Sequence, residues 1–211
     1  MISAHVARSA DVLLLAPVRG LSSEVPAVLR ELDAFRPEAL GLGLPTEELG
    51  GLTEYFVLSD AEPIVPLTSN ELAEVRGLVR FGEVQVPNPS FVHCLAWGRD
   101  HGVPVVALDP SEEDSATMFV EKIGYVELVR RTVRERRVGR APPTPSSPDE
   151  YAVAWDREVS KGKGSREFAR ARDGRLVEEV DRLSAGRSRV AAVVDRERFA
   201  SVQALFGSRH G

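Results

Sequence analysis

Three short apolar runs with no polar interruption constrain this chain more than anything else in it. They are Val12-Leu13-Leu14-Leu15-Ala16, running into Pro17-Val18-Arg19; Val103-Pro104-Val105-Val106-Ala107-Leu108, ending on Asp109; and Val190-Ala191-Ala192-Val193-Val194, ending on Asp195-Arg196-Glu197-Arg198. A strand with one wet face alternates apolar and polar residues, whereas a continuously apolar strand is covered on both faces. The runs therefore predict an α/β fold: a mainly parallel sheet, with a mixed one also admissible, flanked by helices. Ligands of such sheets lie beyond the carboxyl ends of the strands, so the residues just after each run form the candidate site. Here those residues are carboxylates and arginines, and no recognised catalytic signature is intact among them.

Between the runs the helix signals are plain. Ser22 or Ser23, with Glu24 and Pro26, opens a helix whose apolar positions Leu21, Val25, Val28, Leu29, Leu32 and Phe35 recur at helical spacing until Pro37 stops it. Ala39-Leu40-Gly41-Leu42-Gly43-Leu44 follows as a Gly-interrupted strand, completing a β–α–β unit of about thirty residues. Thr46-Glu47-Glu48-Leu49 opens a short helix, and Ile64-Val65-Pro66-Leu67 reads as an edge strand. Ser69-Asn70 caps a helix through Val79, and Ser90 caps another through Asp100 that ends at Gly102. Pro110-Ser111 restarts a helix through Lys122, which resumes after Gly124 as an arginine-rich segment to Arg137. Residues 141–148, with four prolines, read as a loop. A long helix from Ser165 through Leu183 closes at Gly186, and a last short helix ends at Phe206 before a frayed tail. No internal repeat is present, and residues 1–211 read as one α/β domain.

Composition excludes some classes. A net charge of −5 speaks against a general nucleic-acid binder, which needs a basic face for the phosphates. Cys94 is the sole cysteine, which rules out an internal disulfide and a thiolate-rich metal site and suits a reducing, cytoplasmic setting. No apolar run approaches the roughly 18–20 residues that span a bilayer, and the opening residues show no export signal, so no membrane partner is expected.

Three stretches, in chain order, resemble the TraB/Tiki superfamily, which also takes in PrgY-type and erythromycin-esterase-like proteins. The first is Leu13-Leu14-Leu15-Ala16-Pro17-Val18-Arg19, then Phe35-Arg36-Pro37-Glu38 and Leu40-Gly41-Leu42-Gly43-Leu44. It is similar to the family's opening strand with a Gly-x-x-His turn, a helix with a proline stop, and a strand carrying a glutamate. The second, Gly98-Arg99-Asp100-His101-Gly102 through Leu108-Asp109, is like its helix–Gly–strand–Asp segment. The third pairs Arg172-Asp173 with Arg189 to Val194, like the family's Glu-Arg-Asp helix and closing strand. The departures are as informative as the matches. Arg19 stands in the place of the first histidine, Gly43 at or beside the glutamate, Ala171 in place of the second glutamate, and Asp195-Arg196-Glu197-Arg198 where a Gly-x-Gly-His turn would be. The resemblance implies the fold and carries over Asp109, Arg172 and Asp173. Without the histidines and glutamates, it does not imply the family's hydrolytic chemistry.

The individual residues carry competing readings. Arg19 can bind an anion or pair with Asp109 or Asp195. Asp109 and Asp195 can hold a divalent cation, share a proton, or cap the helices that follow them. Glu47 and Glu48 can supply a missing carboxylate or sit at a solvated helix start. His93 and His101, eight residues apart, are too distant on one helix to chelate one ion. Lys161-Gly162-Lys163-Gly164-Ser165 lacks the Walker spacing and reads as a flexible loop or an anion contact. The arginines of 130–137 face solvent, nucleic acid, an acidic partner or another subunit.

Three functions follow. The first is a catalytically degenerate TraB-like binding, regulatory or self-associating module, a homodimer among the options. In it Arg19, Glu47, Arg172, Asp173 and Arg198 contact a ligand. The second is a hydrolase with a relocated site of Asp109, Asp195 and Glu197, joined by Glu47 and Arg19 around a divalent metal, the one cofactor such carboxylates would suit. The third is an α/β binder of a small anionic, phosphorylated ligand.

Overall fold

The computed structural model describes residues 5–8, 11–57 and 69–210, without the side chains of 8, 55–57, 69, 70 and 210. It is a mixed α/β fold in which a five-stranded sheet carries helices on both faces. Strands β1 (His5–Arg8), β2 (Val12–Ala16), β3 (Ala39–Leu42), β4 (Val105–Ala107) and β5 (Val190–Val193) lie in the order β1-β2-β5-β3-β4. The last four strands of that order run parallel, and β1 closes the β2 edge antiparallel. The helices are α1 (Val25–Phe35), α2 (Thr46–Val57), α3 (Ser69–Leu78), α4 (Pro89–His101), α5 (Glu112–Lys122), α6 (Tyr125–Arg140), α7 (Pro148–Val159), α8 (Lys163–Ser184) and α9 (Phe199–His210).

The continuous apolar runs have the predicted meaning. Along β2, Leu13 and Leu15 face one layer while Leu14 and Ala16 face the other, and all four are buried. The first layer packs Leu13, Leu15, Leu40, Leu42 and Val193 against Val28 and Leu32 of α1 and Phe91, Cys94 and Trp97 of α4. The second packs Leu14, Ala39, Val190 and Ala192 against Leu176, Val177 and Val180 of α8 and Val202 of α9. Gly41 is explained by this second layer: a Cβ there would meet the Leu108 side chain at 2.6 Å. A third cluster, with Leu21, Leu78, Tyr151 and Trp155, lies under α3, α6 and α7.

Several expectations are corrected. β2 and β3 are not neighbours, because β5 inserts between them, so the early β–α–β unit spans a gap filled by the last strand. β1 was not expected; its four residues are too few and too mixed to show periodicity. Nor was α7, although Ser147 accepts a hydrogen bond from the Glu150 amide at 3.2 Å with Pro148 at the first helical position. Tyr151, Ala152, Trp155 and Val159 then form its buried stripe. Asn88, not Ser90, caps α4: its Oδ1 accepts from the Ser90 amide at 3.2 Å. The helix after Ser22 begins as a 3-10 turn (Ser22–Glu24) with no side-chain cap. Pro37 does stop α1, since a residue before proline is pushed out of the helical region; Arg36 turns left-handed, with φ of 51°. The long helix starts at Lys163, and α9 continues through His210 where a frayed tail was expected. The expected edge strand at 64–67 and the Ser69-Asn70 cap lie outside the described residues and side chains. No helix among the described residues is long and apolar enough to cross a membrane.

Candidate functional site

The carboxyl ends of the parallel strands gather two charged groupings. The first is closed. Asp109, just past β4, is buried and accepts hydrogen bonds from Arg172 of α8 and, at 2.8 Å, from Arg198 Nη1. Arg198 closes the 3-10 turn Arg196–Arg198 after β5 and donates through Nε to Asp173 at 2.8 Å. Burial opposes the charge on Asp109, but the guanidiniums of Arg198 and Arg172 override it and hold its carboxyl below the usual range. Burial likewise opposes the charge on Arg198, and Asp109 and Asp173 outweigh it, so its pKa is raised. Asp109 Oδ1 and Arg198 Nη2 remain without hydrogen-bond partners among the described residues.

The second grouping is open. Arg19 follows β2 and lies 3.9 Å from Glu71 of α3. The charge of Asp195 does most to raise the Arg19 pKa, against burial and with help from Glu74, Glu48 and Glu197. Asp195 is buried and accepts from Asn88 Nδ2 at 3.4 Å. Burial, with Asp195 and Glu74 nearby, pushes the Glu197 carboxyl up to about 8. Burial pushes Glu74 up to about 7 despite the opposing charge of Arg19. Glu48 is raised as well, chiefly by burial. Glu197 and Glu74 are thus largely or partly neutral near pH 7, beside the one arginine.

A cavity of about 800 Å³ opens beside this grouping, between the end of α7, the first half of α8 and the residues after β2 and β5. Nine cationic side chains line it against five carboxylates. Arg19, Arg172, Asp173, Asp195, Glu197 and Arg198 are all among its lining residues. Arg157 and Arg170 line it too, and neither has a carboxylate partner among the described residues.

The residues singled out in the sequence thus divide. Asp195, Glu197, Arg19, Arg172, Asp173 and Arg198 reach the cavity, while Asp109 stands behind Arg172 and Arg198 without lining it. Neither Asp109 nor Asp195 caps the following helix. Ser111 caps α5, accepting from the Asp114 amide at 3.1 Å, and the turn after Asp195 has no side-chain cap. Arg19 pairs toward Asp195 and Glu71, not Asp109. Glu47 is elsewhere, accepting from the Glu112 amide at 3.3 Å at the start of α5. Among the described residues no three His, Cys, Asp or Glu side chains converge as metal ligands, so the expected carboxylate set for a divalent cation is not assembled. His101 stacks on Trp97 at 4.3 Å and its Nδ1 lies 2.8 Å from the Trp97 carbonyl, a helix-end role.

The Lys161–Ser165 segment is not a loose loop. It leads into α8, whose first amides at Gly164 and Ser165 donate to the Glu127 carboxylate at 2.9 and 2.7 Å. Those two amides hold the Glu127 pKa below the usual range. Gly164 is required, since a Cβ there would collide with the Lys122 carbonyl, and a Cβ at Gly162 would displace the Glu127 carboxylate. The anion this helix start holds is therefore the chain's own.

Glu74 and Glu127 were missed as contributors, and so was Glu24. Glu24 is fully buried, and its Oε1 lacks a hydrogen-bond partner among the described residues. Burial, with Asp149 near, lifts its carboxyl to about 7. Glu74 and Glu127 come from elements remote in sequence from the strand ends, and only its place as an acidic residue at a helix start marked Glu24. No protein-family model matches the chain, and no curated protein matches it in sequence.

Proposed function

We propose that this chain is a binding domain for a small polyanion, TraB-like in the order of its elements and without that family's hydrolytic residues, and that the ligand sits in the cavity beyond β2 and β5. The observation that carries the reading is the cavity's cationic excess. Nine basic side chains line it, Arg157 and Arg170 carry no carboxylate partner among the described residues, and the buried Arg198 keeps an unused Nη2 donor. Since Glu197 titrates near 8, one of the five opposing carboxyls is largely neutral at pH 7. A phosphate or polycarboxylate placed there gains charge-assisted hydrogen bonds in a recess that is only partly wet.

The test is calorimetric and thermal-shift titration with pyrophosphate and citrate. A ligand at about 100 times its Kd stabilises by about 2.7 kcal/mol, which a melt resolves. The expected result is a saturable shift that falls at least about tenfold in affinity in an Arg157→Ala/Arg170→Ala double variant, whose own melting point stays unchanged. Absence of binding by either anion, or binding indifferent to both arginines, overturns the reading. So does a stoichiometric divalent metal in protein purified without chelators that is lost in an Asp109→Asn/Asp195→Asn variant.

A further inference from the structure

Helix α6 has its amphipathic character inverted. Its inward face, marked by the half-buried Glu127, Arg131 and Arg134 and the buried Val138, is mostly charged. Two of these inward charges are engaged, since Glu127 caps α8 and Arg131 pairs with Glu135 at 2.8 Å while lining the cavity, whereas Arg134 keeps a buried Nε and Nη2 without hydrogen-bond partners among the described residues. The outward face carries Val126, Val129 and Val133 at three- and four-residue steps, 61%, 47% and 60% exposed, with Tyr125 80% exposed beside them. A surface helix normally turns such a stripe toward its own core. Apolar residues left contiguous on the outside mark an interaction surface.

The charges around the stripe select the occupant. At 100° per residue, Arg130, Arg136, Arg137 and Arg140 fall beside or beyond the valines, and all four are exposed. Both carboxylates of α6, Glu127 and Glu135, fall on the opposite side. A second copy laid along the same stripe would set arginine against arginine. A lipid interface draws on Trp, Phe and Leu, which this stripe largely lacks. Short β-branched residues at three- and four-residue steps suit the ridges and grooves of helix packing. We infer that the outward face of α6 docks an acidic amphipathic helix of a partner protein. Its apolar stripe lies on Val126, Val129 and Val133, and its carboxylates on the flanking arginines. This surface is independent of the cavity.

The probe is a synthetic fluorescent helix with leucines at three- and four-residue steps flanked by glutamates, with a scrambled peptide of the same composition as control. Fluorescence anisotropy on the intact chain should give saturable binding, weakened at least about tenfold by a Val126→Ser/Val129→Ser/Val133→Ser variant and by scrambling. Raising salt from about 0.05 to 0.3 M should weaken it further, since the arginine contacts are exposed. The three positions face outward, so the variant keeps the parent melting curve, which separates lost docking from lost folding. No binding, or equal binding of the scrambled peptide, overturns the inference. So does concentration-dependent dimerisation in sedimentation that the triple variant abolishes, which would make a second copy the occupant. Flotation with phosphatidylserine-containing vesicles, absent with phosphatidylcholine alone and lost in the variant, would likewise overturn it in favour of a membrane.

Discussion

The two charged groupings at the strand ends lie close together and are built on opposite principles. Around Asp109 the signs balance, with two arginines and two aspartates linked by short hydrogen bonds and all but Arg172 buried. Around Arg19 they do not: Asp195, Glu197, Glu74 and Glu48 crowd one cation, and two of those carboxyls are pushed to about 7 and 8. A balanced buried network holds loops in place, because removing one member strands the others without water or counter-charge. An unbalanced group beside a cavity keeps its charge adjustable near neutral pH. One fold end therefore contains both a fixed clamp and a titrating wall.

The largest expected effect breaks the clamp. Arg198→Met leaves Asp109 and Asp173 buried without their shared partner and should cost about 3–5 kcal/mol, measured by urea unfolding. Adding Asp109→Asn and Asp173→Asn to it should recover part of that loss. A triple variant no more stable than Arg198→Met would show that the charges are not the cause.

Next comes the titrating wall. Glu197 and Glu74 in that wall, and Glu24 apart from it beside Asp149, all have folded pKa values raised above the ordinary glutamate value. Their neutral forms are favoured on folding, so their stabilisation is complete below about pH 4.5 and is lost as pH rises through 7 to 8. Asp109, depressed instead, stays ionised across that window and contributes no slope. Melting temperature should therefore fall between pH 5 and 8, and Glu197→Gln should flatten the fall and raise stability at pH 8. A profile that rises toward pH 8, or one that Glu197→Gln leaves unaltered, would contradict the contrast.

Smaller still, Glu127→Ala removes the carboxylate from the start of α8 and should lower the melting point by about 2–4 °C, the scale of a lost helix cap. An Arg157→Ala/Arg170→Ala variant should leave stability within about 0.5 kcal/mol of the parent, since both side chains are exposed.

The parts of this fold readable in the sequence are those whose signal is local. β2, β4 and β5 announce themselves because burial on both faces removes polar residues from a continuous run. Gly102 ends α4 with φ of 66°, where glycine meets little steric cost. α7 was legible in principle, through Ser147, Pro148 and the Tyr151–Trp155–Val159 spacing, but the prolines before it mask its start. The short edge strand β1 owes its existence to pairing with β2, which no window of sequence contains. The site divides in the same way. Asp195, Arg19, Glu197 and Arg198 follow from lying after strands. Glu74 and Glu24 arrive on α3 and the first 3-10 turn, and their altered protonation comes from neighbours far away in the chain.

The sheet's borders have a consequence for recruitment. Among the described residues one border is β1, four residues long, and the other is β4, only three. Edges this short offer few free amides and carbonyls, so an extended peptide or a misfolded neighbour finds little backbone to zip onto. Strand addition, the commonplace way for a sheet to acquire a guest, is poorly served by these two described edges. On the readings proposed above, recognition falls to side chains, in the recess beyond β2 and β5 and along the outer surface of α6.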